Sequence, residues 1–137
     1  MTAPTLPEIA AAVRGAWSVD TCDPVDVNEW SPENPARGQC GVTTLVLHDL
    51  LGGELLVAEV HYADGSRQGY HYWNRLPDGV EIDLTVEQFA SAGTVQEPQV
   101  VVRASELPKR CVEQYLLLRH RVNAALAVSR TEAAVER

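Results

Sequence analysis

Positive charge is scarce in this chain. Eleven Lys and Arg stand against 19 Asp and Glu among 137 residues, a formal charge of −8. Phosphate contacts need clustered basic side chains, so a nucleic-acid partner is not expected, and neither is docking on an anionic membrane surface. No apolar run approaches the roughly 18 residues of a membrane span. Met1 to Ala10 has no basic residue and no continuous apolar core, which argues against a secretory signal. C-x-x-C and H-x-x-x-H spacings are both missing, so no zinc site is expected. Gly52-Gly53 lacks the pattern of a phosphate-cradling loop; no cofactor is foreseen. There are no internal repeats and no low-complexity segment. Cysteine is limited to Cys22, Cys40 and Cys111. An odd count without a secretory signal makes disulfides unexpected and points to free thiols in a cytoplasmic protein.

What is present suits one domain over residues 1–137, with a core at about 6–128 and a frayed tail at 129–137. Thr5-Leu-Pro-Glu8 is a capping box, followed by apolar residues at helical spacing, so a helix is expected over about 6–17. Residues 18–39 are irregular and rich in Asp, Pro, Asn and Ser. Loops of that length are often functional, and Trp17 and Trp30 are placed to pin this one to the core. From Cys40 the apolar steps of three and four predict a second helix, stopped at Gly52-Gly53. Strands are expected at 54–62, 68–75 and 80–84, separated by turn sequences and paired antiparallel. Thr85-Val-Glu-Gln88 is a second capping box that predicts a short helix including Phe89. Residues 91–99 read as loop and Val100 to Val102 as one more strand. A last helix is expected over about 108–128, with Cys111, Tyr115, Leu118, Val122 and Leu126 on one face.

The chemistry concentrates around Asn34-Pro-Ala-Arg-Gly-Gln-Cys-Gly41. A catalytic cysteine works as thiolate, and a helix N-terminus favours that anion. Cys40 stands where the second helix opens, with Gly38 and Gly41 leaving room for a carbonyl to approach. Cys22 and Cys111 read as small buried apolar residues. His71, in Tyr70-His-Tyr-Trp-Asn74, is the candidate base. Positions 71 and 83 are nearly symmetric about the turn at Pro77 to Gly79, so Asp83 is expected directly across from His71, about 5 Å away at Cβ. There it would orient the imidazole as in other triads. Asp83 also fits a second role, capping the turn at Thr85. His61 is an alternative base and Asn74 an alternative orienting group. His48 and His120 fall within helices and read as surface residues. The Cys40 N–H, with Gln39 or Asn34, would steady an oxyanion. Tyr70, Tyr72 and Trp73, beside the base, are candidate substrate contacts, with simple core and sheet packing the better reading for at least two of the three.

These motifs carry a resemblance. Asn34 to Thr43, Asp49-Leu-Leu-Gly-Gly53, His71 to Gly79 and Glu81-Ile-Asp-Leu-Thr85 resemble the small bacterial YunG-like family, over about residues 15 to 90. More widely, the order cysteine, histidine, carboxylate is similar to the papain-like and transglutaminase-like thiol enzymes. That resemblance implies an α+β fold: a helix bearing cysteine at its N-terminus, packed on a small antiparallel sheet and flanked by N- and C-terminal helices. It implies nucleophile for Cys40, base for His71 and orienting acid for Asp83. The chain departs from papain in being much shorter and in placing Gln39 next to the cysteine rather than several residues before it. The functional expectation is a thiol acyl-transfer enzyme acting on a small-molecule or peptide acyl substrate, whether as a hydrolase or as a tailoring transferase of secondary metabolism. A non-catalytic binding or immunity-type protein on the same scaffold is the rival. Nothing in the sequence sets the oligomeric state.

Overall fold

The computed structural model describes residues 3–86 and 94–135. Helix α1 (Leu6–Ala16) opens on Thr5, whose hydroxyl accepts from the Glu8 N–H at 3.3 Å. It stops one residue earlier than expected because Trp17 turns extended. The stretch at 18–39 is not structureless. It contains two short 3-10 helices, Val19–Thr21 and Pro24–Glu29, capped by Ser18 and Asp23. Trp17 does pin it to the helix that follows, donating to Thr43 Oγ1 at 2.9 Å. Trp30 instead ties the loop to itself, through the Pro35 carbonyl at 3.1 Å.

Helix α2 (Cys40–Leu51) ends at Gly52, with Gly52 and Gly53 both at positive φ. Gly53 has no substitute: a Cβ there would stand 2.2 Å from the Arg75 carbonyl oxygen. Strands β1 (Glu54–His61) and β2 (Arg67–Arg75) form an antiparallel hairpin. β3 (Glu81–Ile82) pairs with the outer edge of β2 and is shorter than the 80–84 expected. β4 (Thr94–Val95) and β5 (Gln99–Val101) both pair antiparallel with the far edge of β1, and β4 falls in a span expected to be loop. The two are one strand path interrupted around Pro98, which has no N–H to give a ladder. Helix α3 (Val112–Val135) closes the described chain. It begins four residues later than expected and runs through the tail that was expected to fray. The short helix foreseen at Thr85 to Phe89 lies largely outside the described residues.

The architecture is α+β: among the described residues, three α-helices stand beside an open antiparallel sheet. The main core joins Ile9 and Val13 of α1, Val46 and Leu47 of α2, and Tyr115, Leu118 and Val122 of α3. Each such side chain gains about 1.5–3 kcal/mol by full burial. Leu56, Ala58 and Trp73 form a smaller cluster on the sheet. Among the described residues no helix is long and apolar enough to cross a membrane.

Candidate active site

Cys40 is the first residue of α2, and the two residues before it explain how it is held. Gly38 adopts φ +73°, and a Cβ there would come within 2.5 Å of Cys22 Sγ. Gln39 is fully buried. Its amide nitrogen donates to the Ser18 carbonyl at 3.0 Å, and its Oε1 accepts from the Thr21 hydroxyl at 2.8 Å. Gln39 therefore pegs the loop to the helix start, and its side chain does not line the cleft beside Cys40. The Cys40 carbonyl accepts from Thr44 Oγ1 at 2.6 Å, and Asn74 of β2 donates to the Thr44 carbonyl at 3.0 Å. Asn74 is thus a clamp between sheet and helix, not a partner of His71.

His71 is buried on β2 and stacks on Trp73, with ring centroids 5.5 Å apart. Its Nε2 meets Asp83 Oδ2 at 2.5 Å. The other oxygen of Asp83 accepts from the Thr85 N–H at 3.2 Å. The two readings of Asp83, partner of histidine and cap of the next turn, hold together, one oxygen each. The pairing is diagonal rather than direct. Asn74 opposes Ile82 and Arg75 opposes Glu81. Continuing that register sets Asp83 opposite Trp73, two residues from His71 on the same face, still within reach.

Burial pushes the His71 pKa down, but hydrogen bonds to Asp83 and Cys40, with the charges on both, raise it from 6.5 to about 9. The structure thus brings Cys40, His71 and Asp83 together. Asn34 is held elsewhere, in a turn where its N–H donates to the Ser31 carbonyl at 3.0 Å, and Trp73 directs its indole N–H to Glu81 at 2.7 Å. Neither lines the cleft, whereas Tyr72 does. The alternative base, His61, sits 3.7 Å from Glu59.

The cleft has a volume of about 780 Å³. One side is the first half of α2, with Cys40, Gly41, Thr44 and Leu45. The other is the sheet face that carries Leu55, Gln68, Tyr70 and Tyr72, and the 23–38 loop forms a wall. Three ion pairs hold that wall. Arg110 Nη2 donates to both oxygens of Asp23, at 2.6 and 2.7 Å, and Arg37 bonds Asp26 at 2.8 Å and pairs with Glu29 as well. Cys111 shares the cleft with Cys40, at an unusual φ of +58°. Burial, then the nearby Asp23 charge, pushes its thiol up to about 11. Cys22 is pushed up to about 12, again chiefly by burial. Gln68, Arg110 and the left-handed Cys111 were not foreseen. A bulge, a long-range ion pair and a helix that starts late leave no pattern in the residue order. Among the described residues no group of three or more His, Cys, Asp and Glu is placed to hold a metal ion.

Fold and site define a class: an α+β protein in which a helix-opening cysteine, a buried histidine and an aspartate meet beside a cleft between helix and sheet. The family model described as "YunG protein" matches residues 5–127, and the chain belongs to that family. It is similar to the "Uncharacterized protein YunG" of Bacillus subtilis (strain 168), with 39% identity over 62 residues. The match covers 45% of this chain and 48% of the relative, so the chain spans about half that protein's length. No solved structure gives a significant match.

Proposed function

We propose that this protein is a thiol acyl-transfer enzyme on a papain-like or transglutaminase-like core. The observation that carries the reading is the chain of contacts from Cys40 through His71 to Asp83, with Nε2 and Oδ2 at 2.5 Å. With Nε2 taken by Asp83, Nδ1 is the nitrogen that serves Cys40. The thiol passes its proton to His71, and a raised imidazole pKa favours the resulting thiolate–imidazolium pair.

The thiolate attacks an amide, ester or thioester carbonyl carbon and forms a C–S bond. The first N–H groups of α2, which have no partners inside the helix, face the developing oxyanion. The Gln39 side chain, spent on Ser18 and Thr21, takes no part. His71 returns its proton to the departing amine, alcohol or thiol as that bond breaks. Water or an amine then gives a proton to His71, attacks the acyl-enzyme and releases the Cys40 thiolate. Asp83 holds the imidazole tautomer throughout.

Iodoacetamide at pH 6 tests this. Cys40 is expected to alkylate selectively, with Cys22 and Cys111 protected because their thiols are pushed up to about 12 and 11. Uniformly slow labelling of all three overturns the reading and leaves a binding protein on the same scaffold. So does a Cys40→Ala variant that keeps full turnover on a substrate once one is found.

A further inference from the structure

The ladder between β1 and β2 is irregular at one point. Val60 pairs with Gly69, but His61 pairs with Arg67, so Gln68 is the extra residue of a β-bulge. Bulges re-aim side chains, and they recur beside functional sites. Gln68 lines the cleft with Tyr70 and Tyr72. Its Oε1 is sealed from solvent and accepts no hydrogen bond among the described residues. A buried amide oxygen without a donor carries a desolvation cost that a bound N–H would relieve.

The rest of the cleft narrows what brings that N–H. Val42, Leu45, Leu55 and Val101 make an apolar lining. Tyr62 and Tyr70, about half exposed, stand at the cleft with Tyr72. Asp23, Asp26 and Glu29 outnumber Arg37 and Arg110 among the charged lining residues, and both arginines are already paired with these carboxylates. The lining thus disfavours anionic acyl carriers and accepts neutral or amine-bearing chains.

We infer that Gln68 and the apolar lining form a subsite for a peptide substrate, in which the Gln68 amide, tucked away in the free protein, turns its Oε1 onto a substrate backbone N–H and the cleft holds an apolar side chain. This deepens the thiol acyl-transfer reading and rests on it for the chemistry, but binding is separable from turnover. The probe is N-acetyl-trileucine amide, with analogues methylated on one backbone nitrogen at a time. The protein is the full chain carrying Cys40→Ala, titrated by NMR. One N-methyl analogue is expected to bind at least tenfold more weakly than the parent. Gln68→Leu abolishes that preference and Gln68→Glu, which keeps an acceptor, retains it. The Gln68 side-chain carbonyl resonance should shift with the parent peptide and not with the discriminated analogue, a readout that needs no second variant to fold.

Equal binding of parent and analogues, no binding at all, or a preference that survives Gln68→Leu overturns the subsite. Selective labelling of Cys40 alongside such a result would leave the thiol reading standing. Tight, N–H-dependent binding without selective labelling would sink the chemistry and keep the subsite.

Discussion

At the scale of single residues, the site is a set of competing demands on a few polar atoms. His71 is buried, which disfavours its charged form, yet Asp83 and Cys40 hold its pKa near 9. A histidine with a raised folded-state pKa adds stability that is fully present below its ordinary 6.5 and is lost as pH rises through about 9. An NMR titration of the His71 ring should show an imidazolium that persists through neutral pH and titrates near 9. Asp83→Asn should move that midpoint downward and shift the loss of stability to lower pH. Gln39 makes a different case. Gln39→Leu would remove two side-chain bonds that tie the loop to the helix start and leave only the local Ser18–Thr21 bonds, at about 0.5–1.5 kcal/mol per bond. Urea denaturation should register this, and faster labelling of Cys22 should report a loosened loop. The residue order placed glutamine next to Cys40, the candidate nucleophile, and so suggested an oxyanion role. Burial assigns it to the loop instead, and burial is not written in neighbouring residues.

At the scale of elements, what was legible was what local rules govern. The capping box at Thr5, the helix opening at Cys40, the glycine stop and the hairpin all follow from short-range sterics and periodicity. What escaped depended on pairing at a distance. β4 exists because β1 offers an edge to Thr94 and Val95, two residues with no alternation to announce them. The His71–Asp83 contact was expected from symmetry about a turn, but the register set by β3 puts Asp83 opposite Trp73, two residues along, and only the reach of the side chains keeps the contact. The α2 stop is more than an ending. At φ +82° and 2.2 Å from the Arg75 oxygen, a Cβ on Gly53 would push β1 away from the end of β2. Gly53→Ala should therefore cost about 1–3 kcal/mol or more, read as a lower denaturation midpoint. Helix α3 runs past its expected end, through 129–135, where Arg130, Glu132, Ala133 and Ala134 favour helix and no Gly or Pro stops it, a propensity that the expectation of a frayed tail overlooked.

At the scale of the whole molecule, α3 is the piece on which the other helices rest. Leu118 and Val122 have no exposed surface, and Arg121 bonds the Ala16 carbonyl at the end of α1 at 3.1 Å. Leu118→Ala should cost about 2–5 kcal/mol, visible by calorimetry as a markedly lower Tm. Arg103 performs a comparable task between β5 and α3. It donates to Asp49 at 2.7 Å and to the Tyr115 hydroxyl at 2.9 Å, and so joins the far end of α2 to α3. The cleft has a fastening of its own. Arg110 and Asp23, 87 positions apart, meet at its wall. Arg110 is two-thirds exposed, whereas the His71 side chain that faces Asp83 is almost wholly enclosed. Dissolved ions screen exposed charges far more than enclosed ones. Ionic strength is therefore a dial that slackens the clasp on the cleft wall while leaving the His71–Asp83 pair intact, so access to Cys40 should vary with salt where the pairing of the histidine does not.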